Sequence, residues 1–140
     1  MEFRKHPKRV VRHFLGAPII YSIVIPVVLL DLWVEIYHRS CFPIYGLPYV
    51  KRRSYIKIDR QKLKYLSFTE KVNCMYCGYM NGFLHYAVVI AGETEKYWCG
   101  IKHKAEKDFH APPHHDTFME YGDQEAYLQV VPEKSKNAPQ

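Results

Sequence analysis

The sequence predicts a mostly α-helical protein: an N-terminal membrane helix, either a single span or a re-entrant segment, followed by a small helical domain stapled by a metal. Three observations predict it. A long uncharged apolar run lies near the N-terminus, a helix-start signature opens the second half, and cysteines with a nearby histidine follow at ligand-like spacing. At 140 residues the chain has room for an anchor and one small domain, not for a large multidomain enzyme.

Residues 1–13 form a basic flank with a net charge of +4. Residues 14–38 carry −2 and form the anchor: Phe14 to Leu30 are 17 residues without a charge, and the apolar character resumes around Asp31 and Glu35. Seventeen helical residues cover about 26 Å, slightly less than the roughly 30 Å hydrocarbon core, so the helix must run on towards Tyr37. A cleaved leader fits less well, because the run ends in Leu29-Leu30-Asp31-Leu32-Trp33 rather than in small residues. Asp31, Glu35 and His38 share one helical face, and the two acids are expected to pair with flanking Lys or Arg at the headgroup boundary.

Residues 39–65 carry +7 and read as an interfacial basic linker, with prolines and Gly46 opposing a long helix after Cys41. Basic blocks on both sides of an apolar run point to an anionic phospholipid membrane. They contain no nucleic-acid reading motif, so no nucleic acid is expected as a partner. Basic flanks mark the cytoplasmic side. Having two of them is what keeps a re-entrant segment, favoured by Pro18 and Pro26, level with a single span. The soluble part is placed on the cytoplasmic face.

Residues 66–131 form the Cys/His helical domain. Ser67-Phe68-Thr69-Glu70 is a capping box, and Val72, Met75, Tyr76, Tyr79 and Met80 recur at helical spacing. Cys74 and Cys77, Cys99 and His103 make a C-x2-C-x21-C-x3-H pattern. Thiolates three residues apart can meet on one ion, and a Cys/His pair four apart shares a helix face. Four such donors suit tetrahedral Zn²⁺, with iron or an iron–sulfur centre as the alternative. A straight helix over 74–103 would hold the two half-sites roughly 37 Å apart, so a bend is required, with Asn81-Gly82 and Gly92 as breakpoints. His110, His114 and His115 lie in a proline-containing loop and are second-choice ligands, or an exposed His-rich turn. Residues 132–140 read as a disordered tail.

The strings Glu70-Lys71-x-Asn73-Cys74-x-Tyr76-Cys77-x-Tyr79-x-Asn81-Gly82 and Tyr97-Trp98-Cys99-x-Ile101-Lys102-His103 resemble a family of small bacterial membrane-associated proteins with EKxNCxYCxYxNG and YWCxIKH motifs. The likeness extends over roughly residues 15–127. It implies a bacterial inner-membrane protein and no particular chemistry.

The chain has no GxGxxG, Walker-type, HExxH or GxSxG motif. The expected function is therefore non-catalytic: a membrane-anchored metal-binding accessory or assembly protein, partnered with another membrane protein or complex. The competing expectations are an iron- or dithiol-based redox protein at the membrane surface and a lipid-modifying surface enzyme.

Overall fold

The computed structural model describes residues 7–131, and the expected tail at 132–140 lies outside them. The protein is mostly helical, with α1 over Arg9–Ser22, α2 over Val24–Tyr45, α3 over Phe68–Trp98 and α4 over Gln124–Val130. Short 3-10 turns cover Arg52–Ser54, Arg60–Lys62 and Pro113–Thr117. The chain forms two compact units, one ending at Ala87 and the other starting at Val88.

In the first unit the anchor is two helices rather than one. Pro26 has no N–H to offer the Ser22 carbonyl and its ring crowds that carbonyl, so the helix parts at Ile23, between α1 and α2. Two of the carbonyls released there find side-chain donors. The Ser22 hydroxyl donates to the Ile19 carbonyl at 2.8 Å, and the Tyr76 hydroxyl to that of Ile20 at 2.9 Å. Pro18, by contrast, sits inside α1 without ending it.

The anchor also runs further than expected. α2 continues through Pro43 to Tyr45, into the stretch read as linker, giving up the one bond that a Pro43 N–H would make. It ends at Gly46, whose left-handed φ of 66° suits a residue without Cβ. The Leu47 N–H reaches back to the Phe42 carbonyl at 2.9 Å and the Gly46 N–H to that of Pro43 at 3.3 Å, the paired bonds of a Schellman ending.

The stretch Val10–Tyr45 is long and apolar enough to cross a membrane. One side of α2 is buried through Val27, Asp31, His38 and Phe42. Among the described residues much of the remaining apolar surface of α1 and α2 is exposed: Phe14 is 80 % exposed, and Ile25 and Trp33 are each 67 % exposed. Apolar surface this continuous marks a membrane or protein contact.

α3 begins as predicted. The Ser67 N–H donates to Glu70 Oε2 at 3.0 Å, and the Glu70 N–H approaches Ser67 Oγ at 3.4 Å. Met80, Phe83 and Tyr86 form its buried face in the first unit. No break interrupts the helix at Asn81-Gly82 or Gly92, the breakpoints expected from the sequence, and α3 runs continuously to Trp98. Gly78 and Gly82 serve a different purpose. A Cβ on Gly78 would stand 2.7 Å from the Lys57 carbonyl oxygen, and one on Gly82 would stand 2.7 Å from that of Tyr55. Two glycines four apart thus make a bare strip on which the backbone of segment 55–57 rests.

In the second unit Ile90, His115 and Phe118 are buried. After α3 the chain turns at Gly100 (φ 60°), and a single bridge ties Ile101 to Met119. The Lys102 N–H donates to the Met119 carbonyl, and the Met119 N–H to that of Gly100, both at 2.8 Å. The Asp123 side chain caps α4 by accepting from the Ala126 N–H at 2.9 Å.

Candidate metal centre and the polar network of the first unit

The charged face of α2 is fully partnered. Arg52 grips Asp31 with both guanidinium arms, Nη1 to Oδ1 at 2.5 Å and Nη2 to Oδ2 at 2.7 Å. The Tyr79 hydroxyl adds a third bond to Asp31 Oδ2 at 2.8 Å. Burial, then this bond to a carboxylate, pushes the Tyr79 hydroxyl up to about 12. Glu35 takes Arg39 Nε at 2.9 Å and the Tyr86 hydroxyl at 2.7 Å. Asp31 and Glu35 thus pair with arginines, as their place beside basic residues suggested.

His38 is wholly buried among aromatic rings, stacked on Tyr49 at 4.6 Å and edge-on to Phe42 at 4.6 Å. The Val50 N–H donates to its Nε2 at 3.2 Å, which makes Nε2 the acceptor and puts the ring proton on Nδ1. Nδ1 then donates to the Tyr86 oxygen at 2.9 Å, and Tyr86 passes its own proton towards Glu35. Every donor in this chain has one acceptor, so it acts as a polar clasp between α2, α3 and the segment after Gly46.

The second unit holds the metal-capable group. One ligand atom from each of Glu95, His103 and His115 lies within 4.8 Å of the others. Glu95 comes from the last turn of α3, His103 from the strand-like stretch after Gly100, and His115 from the 3-10 turn Pro113–Thr117. Glu95 Oε2 accepts from His114 Nε2 at 2.8 Å and Oε1 from His115 Nε2 at 3.2 Å. The first of these bonds is the largest cause holding the Glu95 carboxyl below its ordinary range, so it is ionised at neutral pH.

His115 is 2 % exposed, stacked on Phe118 at 4.9 Å and tilted against His103 at 5.4 Å. With its Nε2 proton given to Glu95, the lone pair is on Nδ1, and that atom is buried without a partner. The ring atom that faces Glu95 is Nε2, and a buried imidazole grouped with a carboxylate and a second imidazole is a donor set that suits a divalent cation. Ligand atoms on one tetrahedral zinc stand about 3.4 Å apart, so the group contracts by up to about 1.4 Å on binding. Gly92 makes room for it, since a Cβ there would meet the His114 ring at 2.8 Å. An open cleft of about 500 Å³ borders His103 and His115, with Lys104, Phe109 and Tyr121 on its walls.

Of the ligands expected from the sequence, His103 and His115 belong to this group, and His114 supports it through Glu95. Cys74, Cys77 and Cys99 do not join it. The first two sit early in α3 and the third just beyond its end, all as free thiols. His110 is exposed and contacts the Asp108 carbonyl at 3.2 Å. Glu95 was missed because it lies in a plain charged stretch, eight residues before His103 and twenty before His115. The nearest available signal was the Glu95–Cys99 pair, one turn apart and leading into His103.

The chain matches no protein-family model, no curated protein and no solved structure.

Proposed function

We propose that this is a membrane-anchored metal-binding accessory protein, whose second unit holds one zinc ion through Glu95, His103 and His115. The observation that carries it is the gathering of ligand atoms from Glu95, His103 and the buried His115, whose Nδ1 has no hydrogen-bond partner. Two imidazoles and a carboxylate are borderline donors that suit Zn²⁺. They replace the Cys-rich set of Cys74, Cys77, Cys99 and His103 as the proposed ligands.

Anchoring is supported by the uncovered apolar surface of α1 and α2 and by the basic residues on both sides of it. The resemblance to small bacterial membrane proteins and the basic flanks favour the cytoplasmic face of the inner membrane. The absence of catalytic motifs in the sequence favours an accessory role in a membrane complex over an enzyme.

Elemental analysis of the full chain, purified in detergent, tests this. One zinc per chain is expected, lost in His115→Ala and in His103→Ala but kept in Cys74→Ser/Cys77→Ser. Metal that leaves with the cysteines instead, or a protein that holds none, overturns the assignment. A visible spectrum separates the redox alternative, because zinc is colourless and iron–thiolate is not.

A further inference from the structure

The first unit carries a second cleft that the metal reading does not use. It has a volume of about 280 Å³ and is lined by Tyr55, Lys57, Arg60, Cys77, Asn81 and His85, with Gly78 and Gly82 as its floor. The backbone of 55–57 rests on Gly78 and Gly82, which brings Lys57 and Arg60 to the edge of the cleft beside the helix, where both remain exposed. His85 is fixed edge-on to Tyr55 at 5.0 Å.

The chemistry of the lining is one-sided. Lys57 and Arg60 are cationic, His85 supplies a ring nitrogen, and among the described residues no carboxylate lines the cleft, although Asp59 lies between the two cations in the chain. Neither Lys57 nor Arg60 makes an ion pair among the described residues, whereas Arg39 and Arg52 on the same unit are both spent on acids. Two unpaired, exposed cations lining one small polar cleft fit a phosphate group, with arginine able to clasp two of its oxygens. The segment 51–64 has seven basic residues against one acid, and the same unit bears the exposed apolar helices. The phosphate most available to such a unit is that of a lipid headgroup.

We propose that this cleft is a binding site for the phosphate of an anionic phospholipid headgroup, with Lys57 and Arg60 as the cationic clasp and His85 as a further contact. The proposal rests on the membrane anchoring of the first unit and is independent of the metal.

Binding of short-chain phosphatidylglycerol, short-chain phosphatidylcholine and inorganic phosphate to the full chain in detergent tests it by calorimetry. The anionic lipid is expected to bind at least tenfold more tightly than the zwitterionic one. Arg60→Gln and Lys57→Gln should each weaken it at least tenfold. Lys62→Gln and Lys64→Gln remove the same charge outside the cleft and should change it less than threefold. Cys77 lies on the wall, so its labelling by a maleimide, read by peptide mass spectrometry, should slow at least fivefold in the lipid.

If inorganic phosphate binds as tightly as the lipid, the phosphate site stands and its ligand is free phosphate. Equal losses in the Lys62 and Lys64 variants, no preference for the anionic lipid, or unprotected Cys77 overturns it. Carbonate extraction of the same variants reads anchoring separately, so a failed cleft is distinguishable from a failed anchor.

Discussion

The backbone N–H of Val50 points at Nε2 of His38, 3.2 Å away, and this bond settles which ring nitrogen carries the proton. His38 is wholly buried, so no water competes for either nitrogen. Nitrogen-15 NMR of the chain in detergent should show a neutral His38 with an unprotonated Nε2 and a protonated Nδ1. The opposite tautomer would contradict the Val50–His38–Tyr86–Glu35 order of donors. His38→Phe keeps the packing but strands the Val50 N–H, and should cost about 1–3 kcal/mol of stability.

Asp31 depends on Arg52 in a comparable way. Removing the guanidinium leaves a nearly buried carboxylate on an apolar helix with only Tyr79 beside it. Breaking a fully buried pair costs about 3–5 kcal/mol, and Arg52 is one-third exposed, so Arg52→Ala should cost about 2 kcal/mol. Asp31→Leu/Arg52→Leu removes both charges and should recover most of that loss in thermal unfolding. A double variant as unstable as the single one would show that packing, not charge, is at stake.

Tyr79 offers a readout in alkali. Its hydroxyl is raised to about 12, first by burial and then by the bond to Asp31. A raised value means that its contribution to stability is complete below the free-tyrosine value of about 10 and is lost as pH climbs through the folded value. Absorbance at 295 nm, compared between the wild type and Tyr79→Phe, should isolate one phenol that ionises near 12. A difference curve centred near 10 would place Tyr79 in water.

Gly82→Ala should destabilise the protein even though alanine is the better helix former by about 1 kcal/mol. The added Cβ meets the Tyr55 carbonyl oxygen at 2.7 Å and the Ile56 Cα at 2.8 Å, and backbone cannot swing aside as a side-chain tip can. A net loss of about 1–3 kcal/mol is expected from overpacking. A gain in melting temperature would mean that segment 55–57 does not rest on α3.

Gly92→Ala tests the metal group without touching a ligand. Its Cβ would meet the His114 ring at 2.8 Å and push it from Glu95. Loss of such an orienting partner typically costs 10–100-fold in metal affinity. Competition with a zinc chelator should reveal a weakening of that order, with the helical circular dichroism unchanged. Unaltered affinity would remove His114 from the site.

The features legible in the sequence are those written in neighbouring residues. Ser67 and Glu70 are three apart, so the start of α3 is a local fact. The shared face of Asp31, Glu35 and His38 follows from helical period alone. Their partners do not: Arg52 is 21 residues from Asp31, and Tyr86 is 51 residues from Glu35. Asn81-Gly82 read as a breakpoint because glycine weakens helices. The same missing side chain also lets another segment approach, and only the spacing of Gly78 to Gly82 hints at that use. The thiols pointed to a metal by type and spacing, but a donor set needs a chain path that closes. Here the path closes through Glu95, His103 and His115, on segments whose order in the sequence carries no ligand signature.

The bond from Tyr76 to the Ile20 carbonyl makes the anchor particular to this protein. A broken helix in hydrocarbon exposes carbonyls that no water can reach, and here α3 lends one of the donors. Exchanging residues 9–45 for a generic apolar helix would keep the greasy surface. It would also leave Tyr76 without its acceptor, Tyr79 and Tyr86 without theirs, and Arg52 without an acid. The N-terminal segment is thus a part of the first unit's fold as well as its exposed apolar surface, and a truncation meant to yield a soluble fragment should yield an unfolded one.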